Sequence, residues 1–277
     1  MKSHAGPPIP FVRANALAPF VGLLNEIGAP VERLLRQARV PPSLLVEPET
    51  LISLFSSYRF IELAARKEQM RELGSVVAQR ASALDLGDYG AALRGASTVY
   101  DYLKIGIRLI GRHSSGTRFW LTKEHGWIRI NQYLSGPAGL GRCIADVFTL
   151  AITVNTLRGF LGPTWSPGEV RLLTGDESLI GDRGIFGDAP LVTGQCHTSF
   201  TISCPLLQFT VPARGTGTVS SNDIRTFAAD PMPADLITST KQLIVSLLVD
   251  GYPGIQSVAD AAGMSPRTLQ RRLTEAG

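Results

Sequence analysis

The sequence predicts an α+β protein, an N-terminal domain of mixed helix and sheet followed by a small all-α segment. Three observations carry that prediction. Apolar residues recur at helical spacing through the first third of the chain and again near its end. The run "TRFWLTKEHGWIRINQY" switches to a period of two, as paired strands do. Between the two regions lies "PARGTGTVSSND", Pro212 to Asp223, poor in apolar side chains and rich in Gly, Ser and Thr, a linker composition. The expected division is a domain over 1–211, a linker over 212–232 and a helical segment over 233–277. A chain of 277 residues with 44% hydrophobic content suits one large and one small domain.

A proline-rich lead precedes two helices, the first ending near Gly28, the second opened by Pro30 and closed before Pro41 and Pro42. Further helices are expected from Leu51 to Arg66 and from Arg71 to Ala83. In "STVYDYLKIGIRLIGRH", Thr98 is placed to cap a helix with Asp101 three residues on. Val99, Leu103, Ile107 and Ile110 then form its buried stripe, while Lys104, Arg108 and Arg112 stay in water. In the hairpin, a short loop at His125 and Gly126 places Phe119, Leu121, Ile128 and Ile130 on one face. Trp120 and Arg129 share the other, where a cation–π contact or plain packing could follow. "CIADVFTLAITVNTLRGFLG" is apolar over a wide arc and should lie under the sheet. "GEVRLLTG" and the stretch from Ser199 to Thr210 read as strands. A helix over "PADLITSTKQLIVSLLVDG" leads into the final segment.

That segment reads "SVADAAGMSPRTLQRRLTEAG". Gly263 follows a short alanine-rich helix, at a position where a left-handed residue ends a helix with little steric cost. Ser265 has a hydroxyl suited to an N-cap, and Pro266 falls at the first helical position. The second helix should run from about Pro266 to Glu275. Leu269 and Leu273 form its apolar stripe, against a small-residue surface of Val258, Ala259, Ala262 and Met264. Its opposite face carries Arg267, Gln270 and Arg271, with Thr268 and Arg272 at the margins. Such a pair of helices suits the major groove, where Arg pairs in bidentate fashion with guanine and Gln with adenine. The plainer alternative is a surface helical hairpin whose arginines are simply solvated.

The pattern Val258, Ala259, Ser265, Leu269, Arg271, Leu273, Gly277 resembles the first helix-turn-helix of AraC-type transcription regulators. The resemblance implies base contacts by Arg267, Gln270 and Arg271, and phosphate contacts by Thr268 and Arg272. Regulators of that type carry two such units, and here the sequence stops at Gly277, so the expectation is a DNA-binding region lacking its second unit. The large region, with "STVYDYLKIGIRLI", the hairpin, "IFGDAPLVTG" and "LLQFTVP", resembles the arabinose-binding-like effector domain of one AraC subgroup. That likeness implies a small-molecule effector, with binding residues unknown, and a homodimer.

Other classes find less support. The formal charge is +4, and from Lys241 onward four basic residues (Lys241, Arg267, Arg271, Arg272) face three acidic ones (Asp250, Asp260, Glu275). Any DNA contact therefore rests on arrangement rather than gross charge. The three cysteines, Cys143, Cys196 and Cys204, lack metal-ligand spacing, and no metal or cofactor is expected. The glycine-rich run from Gly136 to Gly141 is neither a dinucleotide fingerprint nor a P-loop. Cys196 and His197, adjacent in an expected strand, would point to opposite faces. Asp146, Asp176 and Glu177 form no recognisable acid–base set with the histidines, so no enzyme is expected. Without a signal sequence or membrane span, the expected location is the cytoplasm. The alternative to a regulator is a stand-alone module that binds a small molecule or a partner without productive DNA binding.

Overall fold

The computed structural model describes residues 6–211, 227–229, 232–249 and 251–277, with Leu44 and Leu45 described along the backbone alone. The expected linker lies outside these residues apart from 227–229 and Met232. A short strand, β1 (Phe11–Arg13), pairs antiparallel with β2 (Leu51–Ser53), Val12 standing opposite Ile52. Between them run α1 (Ala18–Glu26) and α2 (Val31–Gln37), the latter starting after Pro30 as its sequence predicts.

The stretch from Leu51 to Arg66 is not one helix. Its first three residues pair with β1, and α3 (Leu54–Lys67) begins only after Ser53. The Ser53 hydroxyl accepts from the Phe55 N–H at 3.2 Å and the Ser56 N–H at 3.4 Å, which fixes the helix start there. Next come α4 (Leu73–Gln79), shorter than the run from Arg71 to Ala83, then α5 (Gly87–Arg94) and α6 (Val99–His113). Thr98 caps α6 as expected, accepting from the Asp101 N–H at 3.1 Å.

The hairpin forms as read. β3 (Thr117–Glu124) and β4 (Trp127–Leu134) pair with Leu121 opposite Ile130, and Phe119, Leu121, Ile128 and Ile130 all pack inward. On the outer face, Arg129 takes carboxylates rather than the Trp120 ring. Its Nε lies 2.6 Å from Glu124 and its Nη2 2.8 Å from Glu169, because paired charges with hydrogen bonds attract a guanidinium more strongly than a ring does. Trp120 lies against His197 instead, with ring centroids 5.1 Å apart.

The long helix α7 (Leu140–Leu161) follows, then β5 (Val170–Arg171), β6 (Leu191–Val192) and β7 (Thr198–Ser203). The sheet order is β3-β4-β7-β5-β6, with only β5 and β6 parallel. β7 stops well before Thr210, since Pro205 in the following 3-10 turn has no N–H to continue a ladder. α7 packs between the sheet and the helices α3 and α4. It is 22 residues long and apolar enough to cross a membrane by length and composition, and 67% of its most apolar 18-residue window is buried inside the fold. At Gly141 a Cβ would stand 2.0 Å from the Tyr58 carbonyl oxygen, so glycine there permits the close approach of α7 and α3.

Three helices complete the described chain, α8 (Leu236–Leu248), α9 (Ile255–Ala261) and α10 (Pro266–Ala276). Asp235 and Thr238 form a reciprocal capping box at the head of α8. Buried apolar side chains fall into two clusters. The larger fills the N-terminal domain. The smaller joins Leu243, Leu247, Val258, Ala259 and Leu269 of the helical bundle to Ile9 and Phe11 of the N-terminal lead and β1.

Candidate functional site

The two final helices form as the sequence reads. Gly263 sits at φ +67° just past Ala262, the C-cap of α9, where a left-handed residue closes the helix. Ser265 accepts from the Thr268 N–H at 3.2 Å, its hydroxyl lies 2.8 Å from that of Thr268, and Pro266 opens α10. Leu269 is fully buried against Val258 and Ala259, and Leu273 packs at the edge of the same cluster. Residues three and four apart on α10 therefore share its far face.

Arg267, Gln270 and Arg271 all lie on that exposed face. Arg271 donates to Glu275 at 2.7 Å, a pair more than half exposed at both ends and so weakly held. Thr268 and Arg272 are half-buried. Arg272 lines a groove with Pro7, Pro8, Phe55 and Met264, which places it on the side of the bundle nearest the N-terminal domain. The first three candidate residues form one solvent-facing surface, and Arg272 stands apart from it.

The bundle docks on the β1–β2 ribbon, a contact the sequence did not reveal. Phe11 is fully buried among the bundle's apolar side chains. The Ile9 N–H donates to the Ser239 hydroxyl of α8 at 3.0 Å. The Ser53 hydroxyl, besides capping α3, donates to the Ala261 carbonyl at the end of α9. A Cβ on Gly263 would stand 2.4 Å from the Phe55 ring, so the turn itself sits close against α3. Arg39 reaches Asp260 at 3.9 Å.

The ribbon's other side borders a cavity of about 110 Å³. Val12 and Leu54 contribute to its wall beside Phe20 and Phe148, whose rings lie 4.7 Å apart. Among the described residues that line it, none is Asp, Glu, Lys or Arg. His113, the last residue of α6, lines it with its ring stacked on Tyr89 at 5.0 Å. Its Nδ1 is buried with no hydrogen-bond partner. Burial, with a smaller contribution from Arg13, holds this imidazole far below its ordinary value, at about 3. Tyr58 and Tyr102, also lining, are pushed above the ordinary tyrosine value by burial.

No pocket residue was legible from the sequence. In retrospect His113 continues the buried stripe of α6, three residues beyond Ile110, where a polar side chain is out of place. The candidate acids stand in separate surroundings. Asp146 is buried, accepting from Gln132 Nε2 at 2.9 Å and from the Thr198 hydroxyl, and its pKa is raised by burial. Asp176 pairs with Arg71, and Glu177 with Arg183. Cys196 is exposed, and His197 lies 2.9 Å from Asn131 Oδ1.

Comparison with known proteins agrees with this architecture. The family model described as the arabinose-binding domain of AraC transcription regulator, N-terminal, matches residues 28–208. The HTH-type transcriptional regulator VirS of Mycobacterium tuberculosis, in each of two strains, is 22% identical over 273 residues, covering 96% of this chain and 79% of the relative. The crystal structure of transcriptional regulator CdpR from Pseudomonas aeruginosa shares the fold with a TM-score of 0.53 and 19% identity, covering 95% of this chain and 79% of that one.

Proposed function

The chain belongs to the AraC-type transcription regulators that carry an arabinose-binding-like N-terminal domain, and we propose that it is a ligand-responsive DNA-binding switch. In this reading α10 enters a major groove, with Arg267, Gln270 and Arg271 at base edges and Thr268 nearer the phosphates. Arg272 joins the phosphate contacts only if the bundle leaves its docked position. The N-terminal domain senses a small molecule in its cavity, and the β1–β2 ribbon carries the response to the bundle. The protein acts in the cytoplasm, as a homodimer, and no catalytic step belongs to the reading. The domain division is the one expected from sequence, with 1–211 as sensor and 233–277 as DNA reader.

One observation carries this proposal most: the exposed Arg267–Gln270–Arg271 surface lies opposite the packed Leu269 stripe, on a capped helix that follows a tight glycine turn. Two states of the bundle, docked and released, need differ by only about 1–3 kcal/mol of coupling for a ligand to shift DNA affinity usefully.

Fluorescence anisotropy with labelled duplex DNA over a salt series tests the proposal. Saturable binding that weakens as salt rises and is reduced by Arg271→Ala is the expected result. No binding at low salt favours the second reading, a small-molecule or partner-binding module without productive DNA binding, whereas binding insensitive to that substitution removes Arg271 from the contact surface.

A further inference from the structure

The sensor cavity has a lining that selects by chemistry. Its walls are almost wholly apolar, and its polar side chains are nearly all engaged within the protein. Ser57 donates to the Leu54 carbonyl at 2.7 Å, Thr149 to the Ala145 carbonyl at 2.8 Å, and Gln132 to Asp146 at 2.9 Å. The Tyr58 hydroxyl donates to the Ser135 carbonyl at 3.2 Å. His113 Nδ1 is the exception, a buried ring nitrogen with no partner. A buried polar atom left unpaired is costly, and a ligand group that pairs with it recovers that cost on binding.

We propose that this cavity binds a small, uncharged, predominantly apolar molecule carrying one hydroxyl or similar group, which hydrogen-bonds to His113 Nδ1. The inference rests on the reading of the N-terminal domain as a sensor, and it names the class of effector. Size follows from the volume. About 110 Å³ is of the order of the apolar cavities that hold a single aromatic ring. Charge is excluded because no described lining residue bears one and the imidazole stays neutral, so a carboxylate or ammonium would be desolvated without a counter-ion. A sugar is excluded for a related reason. Its several hydroxyls would meet carbon walls and hydrogen bonds already made, despite the family's name.

The anchor's position also suits a signal. His113 is followed by Ser114, which bridges to Val12 of β1, and the Ser115 N–H donates to the Phe11 carbonyl at 2.9 Å. A ligand held by His113 therefore sits one residue from the ribbon on which the helical bundle docks.

Calorimetric titration of the full chain with p-cresol, toluene and L-arabinose tests the proposal. The expected order is p-cresol tightest, toluene weaker, and no binding of the sugar. His113→Phe should lower p-cresol affinity roughly tenfold, to the level of toluene, while toluene binding persists and shows that the cavity is intact. Sugar binding tighter than p-cresol, no binding of any probe, toluene as tight as p-cresol in the unaltered chain, or unchanged p-cresol affinity in His113→Phe would each overturn it. Any of these outcomes leaves DNA binding as a separate readout, and only its absence counts against the regulator reading.

Discussion

Phe11 and Val12 are neighbours in one three-residue strand and face different bodies of the protein: Phe11 is buried in the helical bundle's cluster, and Val12 lines the cavity of the N-terminal domain. The alternation of side chains along a strand makes this unavoidable. A shift of β1 by a fraction of a side chain is felt on both sides at once. Ser53 on the partner strand adds a polar counterpart, capping α3 of the N-terminal domain while bonding the last turn of α9.

Phe11→Ala should release the bundle while sparing the N-terminal domain. Removing a fully buried phenyl ring costs about 3–5 kcal/mol where the site cannot collapse. Hydrogen exchange should speed up in α8, α9 and α10 while amides of α7 keep their protection. Equal loss of protection in both would mean that the bundle is not a separately docked unit.

Ser53→Ala removes an N-cap, worth about 0.5–2 kcal/mol, and the donor facing the Ala261 carbonyl. Urea unfolding should show a loss of roughly 2 kcal/mol in total. Ser53→Thr, which keeps the hydroxyl, should restore most of it. A threonine variant as weak as the alanine one would point to packing rather than hydrogen bonding.

His113 predicts a pH dependence of definite sign. Its folded value, about 3, lies below the ordinary 6.5 it has when unfolded. The unfolded chain therefore takes up a proton that the folded chain refuses, so this contribution is complete above pH 6.5 and is lost as pH falls toward 3. Between neutrality and pH 5 the loss from this one group is roughly 2 kcal/mol. Asp146 runs the other way, since its raised value favours the folded state at low pH, but it is common to both proteins compared. Unfolding midpoints at about pH 7.5 and 5 should fall further for the unaltered chain than for His113→Phe. Parallel falls would show that His113 is not buried in neutral form.

Much of this was legible in the sequence because the signals were long or doubly marked. The α6 cap at Thr98, the β3–β4 alternation and the Gly263–Ser265–Pro266 turn each combine a period with a punctuating residue. The misread elements are short. Three residues of β2 show no period, and Leu51 and Ile52 suit a helix start as well as a strand. Docking of the bundle was hidden because Ile9 and Phe11 meet α8 across more than 200 residues of chain, a pairing no local pattern encodes; the Ile9–Ser239 bond alone spans 230. The cavity was hidden for a different reason: its lining residues come from many elements, and all but a few read as ordinary core.

The central claim is that the outward face of α10 reads bases. Selection of binding sites from random duplex DNA at low salt, with the unaltered chain and with Gln270→Ala and Arg271→Ala, addresses it directly. The predicted result is an enriched short motif that becomes degenerate at one different position in each variant, with a cost of about 1–3 kcal/mol at the original site. Failure to enrich any motif, or a uniform weakening that leaves every position as selective as before, would contradict it.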